Sequence, residues 1–257
     1  MLEEMASAMK STPYSLPQAD REALMLSGLN RLTRYHDENC REYARVLQGA
    51  WSGPSPAVTV DQVPYLPVSL FKTQRLTSIA DSDVQMTLTS SGTTGQAVSR
   101  IFLDAETSSL QQRALASSLG HVLGKQRLPM LVIDTDEVFK DPHLMSARGA
   151  GVLGMMRYGR HHVFALDRNM QPDLSAVRNF LKNHGGQPFL VFGFTFMVWL
   201  KLYEAFRNTN LDLSNGVLIH SGGWKKMADQ AVDNESFRSA LFDAFGLRRI
   251  HNFYGMV

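Results

Sequence analysis

From Met86 onward the chain alternates short apolar runs with longer stretches of helical period, and this alternation limits the fold more than any other feature. The strand-like runs are MTLTSS, LPMLVID (Leu128–Asp134), HHVFAL (His161–Leu166), PFLVFGF, GVLIHSGG (Gly216–Gly223) and RRIHNFYG (Arg248–Gly255). Between them lie four predicted helices: Asp104 to about Leu123 with Asp104 as its cap, Asp173–His184 closed by Gly185–Gly186, Thr195–Arg207, and Met227–Phe245. Strands joined through helices need crossover connections, which give a parallel sheet. The fold class is therefore α/β, with mostly parallel sheets flanked by helices.

Upstream the period is helical only. SLPQADREAL offers Ser15 as a cap, Pro17 in the first turn and Gln18 completing a capping box, and Leu26, Leu29, Leu32, Tyr35, Tyr43, Val46 and Leu47 form one apolar stripe. VPYLPVSLF (Val63–Phe71) reads as extended, because each proline biases its predecessor away from the helix. The organisation expected is a helical segment over 1–60 packed on an α/β domain over 61–257. In Phe139–Tyr158, the run RGAGVLGMMRYG has no clear period and reads as a loop over a site or as a surface crossing with an irregular strand.

Composition excludes several classes. With a net charge of +2 and basic residues clustered no further than pairs, the chain lacks the footprint of a nucleic-acid binder. The single cysteine, Cys40, rules out an internal disulfide and reads as a half-buried helix residue. MLEEMASAMK has no apolar stretch of the secretory kind, and Phe189–Leu200 falls short of the ~18 apolar residues that suggest a membrane span. A soluble cytoplasmic protein is expected.

Ligands of parallel sheets sit beyond the carboxyl ends of the strands. Four such ends carry unusual chemistry here: SSGTTG (Ser90–Gly95), FGFTF (Phe192–Phe196), HSGGWKK (His220–Lys226) and HNFYGM (His251–Met256). If these strands are neighbours, their loops share one rim. Glycines in SSGTTG let backbone amides approach an anion, and the hydroxyls add donors, so the stretch reads as a phosphate grip or as a polar turn between antiparallel strands. It matches neither the Walker nor the dinucleotide pattern. FGFTF suits an apolar acid, while Phe189, Val191, Val198 and Leu200 read as core. His220 reads as a site residue or as a buried, hydrogen-bonded histidine. His161–His162 lacks a third ligand at usable spacing, so no metal site is assigned, and there is no Gly-x-Ser-x-Gly elbow.

Taken together, SSGTTG after an apolar strand, HSGGWKK and the Tyr254–Gly255 pair resemble the adenylate-forming superfamily of carboxylate-activating enzymes. VPYLPVSLFKTQRL, the Trp and Lys of HSGGWKK, and YGMV resemble its acyl-protein synthetase branch, the fatty-acid ligase component of bacterial bioluminescence, over about Tyr14 to Val257. That resemblance implies the large N-terminal domain of such an enzyme. It would use ATP and Mg²⁺ to convert a carboxylic acid, most naturally a fatty acid, into an acyl-adenylate for transfer to a thiol on a protein or carrier.

Under the resemblance, Ser90, Ser91, Gly92, Thr93, Thr94 and Gly95 grip the phosphates. Gly222, Gly223, Trp224, Tyr254 and Gly255 hold the adenosine, and Phe192, Gly193, Phe194, Thr195 and His220 line the acid pocket. Thr93, Thr94 and Lys225 are the catalytic candidates. The chain departs from the pattern in lacking a Lys just after the loop, where Arg100 is the nearest cation, and in stopping at Val257 before the expected Mg²⁺-binding Glu. The mobile C-terminal domain and its acyl-carrying cysteine are not in the sequence either, from which impaired turnover is expected. Two alternatives stay open: a non-catalytic nucleotide-binding module, and an acyl-CoA or carrier-protein ligase of secondary metabolism. Oligomeric state, a homo-oligomer included, is not readable.

Overall fold

The structure, a computed structural model, describes residues 15–89, 97–139, 147–224 and 231–254. Its contacts divide the chain into two compact units, Met1–Val122 with Val257, and Leu123–Met256. No helix among the described residues is long and apolar enough to cross a membrane.

In the first unit, α1 (Gln18–Asn39) and α2 (Arg41–Trp51) are separated by Cys40, whose extended backbone interrupts the helical period. The predicted stripe is thus two helices. Cys40 is buried at their junction, 3% exposed, and is not a half-buried residue within a helix. The helix also starts later than Ser15 predicts. Pro17 occupies the N-cap position, no side chain caps the first turn, and Arg21 N–H bonds the Pro17 carbonyl. Asn30 fastens the segment after α2 by exchanging hydrogen bonds with both the N–H and the C=O of Ala57, each 2.9 Å.

Strand β1 (Met86–Thr89) pairs antiparallel with β2 (Arg100–Leu103), Thr89 opposite Arg100. They form their own two-stranded sheet, so β1 is not a sheet neighbour of the strands that carry the other three loops. The physical reason is connection length. The stretch from 90 to 99 is shorter than the crossover of about a dozen residues that a parallel neighbour requires. SSGTTG itself lies outside the described residues. After β2 comes α3 (Ala105–Leu123), capped as expected, with Asp104 Oδ1 accepting from Thr107 N–H at 2.7 Å.

The second unit is a five-stranded sheet of β3 (Leu128–Val132), β4 (Gly159–Phe164), β5 (Phe189–Phe194), β6 (Gly216–Ser221) and β7 (Arg249–Phe253). Its order is β4-β3-β5-β6-β7, and every pairing is parallel. The α/β prediction holds. Alternation along the strands sends Leu131, Ile133, Val191, Leu218 and Ile250 into one core. That core also takes Val177 and Phe180 of α5 (Leu174–His184), and Phe237, Leu241 and Phe245 of the helix Asn234–Phe245. Asp173 and Asp233 cap these two helices through Ala176 and Ser236 N–H. The second helix starts at Asn234, later than the predicted Met227, with residues 225–230 outside the described set.

One local prediction is corrected and another gains detail. The glycine-rich run is helical: α4 spans Ala147–Met156 and buries Val152 and Met155 on one face. Ala, Leu and Met favour the helix, and burial of that i, i+3 pair offsets glycines that cost about 1 kcal/mol each. The stretch after β5 is helical as expected, but it runs α over Thr195–Met197, π over Val198–Tyr203 and α over Glu204–Phe206. We call the whole stretch α6 and Asn234–Phe245 α7. A π turn is rare, and it often marks a functional stretch.

Candidate functional site

Strand order locates the crevice. From β3 the chain steps outward to β4, then crosses back to β5 on the other side of β3 and continues outward through β6 and β7. The reversal falls between β3 and β5, and ligands of such sheets bind beyond the carboxyl ends at that point. Beyond those ends lie Asp134–Thr135, Phe194–Thr195, Gly222–Trp224 and Tyr254. Three of the predicted strand ends, those of β5, β6 and β7, are therefore on one edge of one sheet.

Register fixes how the later two meet. Ser221 pairs with Phe253 and His220 with Asn252, so Gly222 and Tyr254 leave the sheet at the same level. Gly222 turns with φ +72°, a conformation that a residue bearing a Cβ resists, and a Cβ at Gly223 would meet only open space. Tyr254 is 82% exposed. Trp224 is half-buried and packs edge-on to Trp199 of α6 (centroids 5.8 Å) and to Phe237 of α7 (6.4 Å).

Behind this rim is a chain of buried polar groups. Thr195 and His220 are 6% and 3% exposed, and Thr195 Oγ1 lies 2.9 Å from His220 Nδ1. The same hydroxyl reaches the Gly222 carbonyl at 2.7 Å and the Ser221 carbonyl at 3.2 Å. The His220 ring packs on Phe237 at 4.9 Å. Burial, then the nearby Arg238 and His251, push its pKa down to about 4, so the imidazole is neutral at physiological pH.

A second buried polar pair lies at the end of β3. Asp134 is 1% exposed, and its Oδ1 accepts from Thr135 N–H at 2.8 Å. Its Oδ2 lies 3.2 Å from Nε of Arg148 on α4, but the N–H is not aimed at it, and both atoms lack a hydrogen bond among the described residues. Burial raises the Asp134 pKa, against the opposing Thr135 N–H and Arg148 charge. Sequence reading passed Asp134 over. The available signal was an acid closing a buried apolar strand, LPMLVID, at the edge where ligands gather.

The predicted acid-pocket residues are spread over different environments. Phe192 is buried at 1% exposure, and Gly193 is packed so closely that a Cβ would stand 2.9 Å from Ile133 Cβ. Phe194 is half-buried. Its ring runs between Gly151 of α4 and Gly222, where added Cβ atoms would lie 3.1 and 3.3 Å from it. Phe189, Val191 and Val198 are core, while Leu200 is only partly buried. Ser90, Ser91, Gly92, Thr93, Thr94, Gly95, Lys225 and Gly255 lie outside the described residues. His162 Nε2 meets the Met156 carbonyl, His161 stacks on His184, and among the described residues no three His, Cys, Asp or Glu side chains group to hold a metal.

Comparison with known proteins adds what geometry alone does not. The chain is 24% identical over 208 residues to the long-chain-fatty-acid–luciferin-component ligase of Aliivibrio fischeri, an alignment covering 75% of this chain and 51% of that protein. It thus spans about half the length of the curated relative it matches. The family profile described as acyl-protein synthetase, LuxE, matches residues 3–257, and on that nearly full-length match the chain belongs to the LuxE acyl-protein synthetase family.

Proposed function

We propose that this chain activates a fatty acid with ATP, as an acyl-adenylate, for transfer to a thiol on a protein or carrier. The observation that carries the reading is the β6–β7 register, which brings the Gly222–Gly223–Trp224 backbone and the exposed Tyr254 ring out of the sheet side by side. Open backbone next to a solvent-facing aromatic suits a flat heterocycle with hydrogen-bonding edges, as adenine is. Phe194, at the sheet's switch point, offers an apolar wall for the acid. Family membership supports an acid and an acyl acceptor as the reactants.

The chemistry follows from those assignments. The acid's carboxylate oxygen attacks the α-phosphorus of ATP, the bond to the β-phosphate oxygen breaks, and pyrophosphate leaves. A thiolate then attacks the acyl carbonyl and expels AMP. Charge builds on phosphoryl oxygens in the first step, so the protein's part is positioning and fixed donors. By their chemistry, Ser90, Ser91, Thr93, Thr94 and the loop amides are assigned to the phosphates, and Lys225 to developing negative charge. Mg²⁺ would neutralise phosphate charge, but the described residues offer it no ligand cluster and none is assigned to it.

ATP–pyrophosphate exchange over acids of graded chain length tests the reading, alongside calorimetric titration with ATP and AMP. Exchange that depends on a long-chain acid is expected. Tyr254→Ala should weaken ATP binding roughly tenfold, the scale of one base–aromatic stack, without lowering the melting temperature. ATP binding without exchange under any acid would replace the ligase with a nucleotide-binding module, and no ATP binding at all would overturn both.

A further inference from the structure

The Gly222 carbonyl carries no proton to give, so at 2.7 Å the hydroxyl of Thr195 must donate to it. That hydroxyl has a single proton. The 2.9 Å contact between Thr195 Oγ1 and His220 Nδ1 then requires the proton to come from the ring. The tautomer is thereby fixed as Nδ1–H, and His220 Nε2 is left as a buried lone pair with no donor among the described residues. The groups facing the ring are Thr195 at its Nδ1, Phe237 on its face, and Arg238 and His251 by charge. Burial and the Arg238 charge favour the neutral form, which keeps the relay in one state.

We propose that His220 and Thr195 are positioning residues, whose one-way chain from imidazole to hydroxyl to the Gly222 carbonyl sets the turn that presents the Gly222–Trp224 backbone. Beyond Ser221 the sheet ladder ends, and Thr195 supplies the partner that a further strand residue would have supplied. The imidazole limits the hydroxyl's freedom to rotate away, because its lone pair is occupied by Nδ1–H and its proton is left to the two carbonyls of the turn, Gly222 at 2.7 Å and, less closely, Ser221 at 3.2 Å. A serine could complete the relay and a valine could not. The consequence for nucleotide affinity rests on the ATP-activating function proposed above, whereas the relay itself does not.

The test therefore has two arms. Nitrogen-15 NMR of histidine-labelled full chain reads the tautomer in the unmodified protein. The expected signature for His220 is protonated Nδ1 and bare Nε2 at neutral pH, persisting in Thr195→Ser and lost in Thr195→Val. An Nε2–H tautomer in the wild type would overturn the proposal with no mutant required. In the kinetic arm, Thr195→Val should raise the KM for ATP about tenfold, the equivalent of one hydrogen bond, with a smaller change in the KM for the acid and rescue by Thr195→Ser. Equal rises for both substrates, or no rescue by serine, would overturn the positioning role. If the wild type binds no ATP, the proposed function fails, and the NMR arm still decides the relay.

Discussion

The two buried polar pairs at the carboxyl edge of the sheet are built on opposite terms. At the ends of β5 and β6, Thr195 and His220 are uncharged and aligned, and each polar atom but Nε2 has a partner. At the end of β3, Asp134 and Arg148 carry opposite charges 3.2 Å apart without a directed hydrogen bond. The neutral pair costs little to bury and restricts a turn. The charged pair carries a desolvation penalty that its imperfect geometry repays only in part. An ion pair of this kind adds little net stability while making each partner indispensable to the other.

The largest expected effect follows from that. Asp134→Ala would leave the mostly buried Arg148 charge uncompensated and should destabilise the fold by about 3–5 kcal/mol in urea unfolding. The double change Asp134→Leu with Arg148→Met should recover most of the loss, since replacing both partners of a buried pair is often neutral. A double variant as unstable as the single one would show that the pair is better satisfied than its geometry indicates, and the contrast between the regions would fail.

The pairs also respond to acid with opposite signs. His220 is held at about 4 against an ordinary 6.5, so between those values the unfolded chain binds the extra proton. Its contribution is complete above about pH 6.5 and is lost as pH falls toward 4, amounting to about 2 kcal/mol by pH 5. Asp134 has a raised pKa, so the folded state holds its proton more tightly. Its contribution is present below the ordinary carboxylate value and is lost as pH rises through the raised one. Unfolding free energies at pH 7 and pH 5 should show a fall on acidification that His220→Gln reduces by about 2 kcal/mol and Asp134→Asn leaves in place or steepens. His36, His184 and His251, whose pKa values are also lowered, supply the remainder. A pH response unaffected by His220→Gln would assign it to other groups.

How much of this the sequence carried depended on what each feature rests on. The parallel sheet was legible because strand alternation and connection length are local properties, and Asp104 announced its helix by capping chemistry. Two failures share one feature. The helix over Ala147–Met156 and the break at Cys40 each coincide with tertiary burial, of Val152 and Met155 in one case and of Cys40 in the other, which periodicity along the sequence does not report. Within the site, Gly222 and Tyr254 could be named from pattern. Their adjacency depends on register, which a strand's sequence does not encode by itself. Asp134 was missed because a lone acid at a strand end has no spacing signature. Its partner Arg148 lies across residues that sequence reading assigned to an irregular loop or crossing.

The smallest effect tests whether the two regions are mechanically joined. The Phe194 ring lies where a Cβ added to Gly151, one turn beyond Arg148 on α4, or to Gly222, whose carbonyl is held by Thr195, would meet it. Gly154 lies on the same helix with open space where its Cβ would be. Gly154→Ala should therefore gain most of the helix-propensity difference, stabilising by up to about 1 kcal/mol. Gly151→Ala earns the same helical gain but places a methyl 3.1 Å from Phe194 Cζ. The ring must give by a few tenths of an ångström, and its other edge lies close to Gly222, so the shift is expected to reach the turn that Thr195 holds. The expected result is a net change near zero for Gly151→Ala, with a shift of the His220 imidazole nitrogen signals that Gly154→Ala does not produce. Equal stabilisation by the two substitutions, with His220 silent in both, would mean that the ring relaxes freely and the neutral and charged regions act independently.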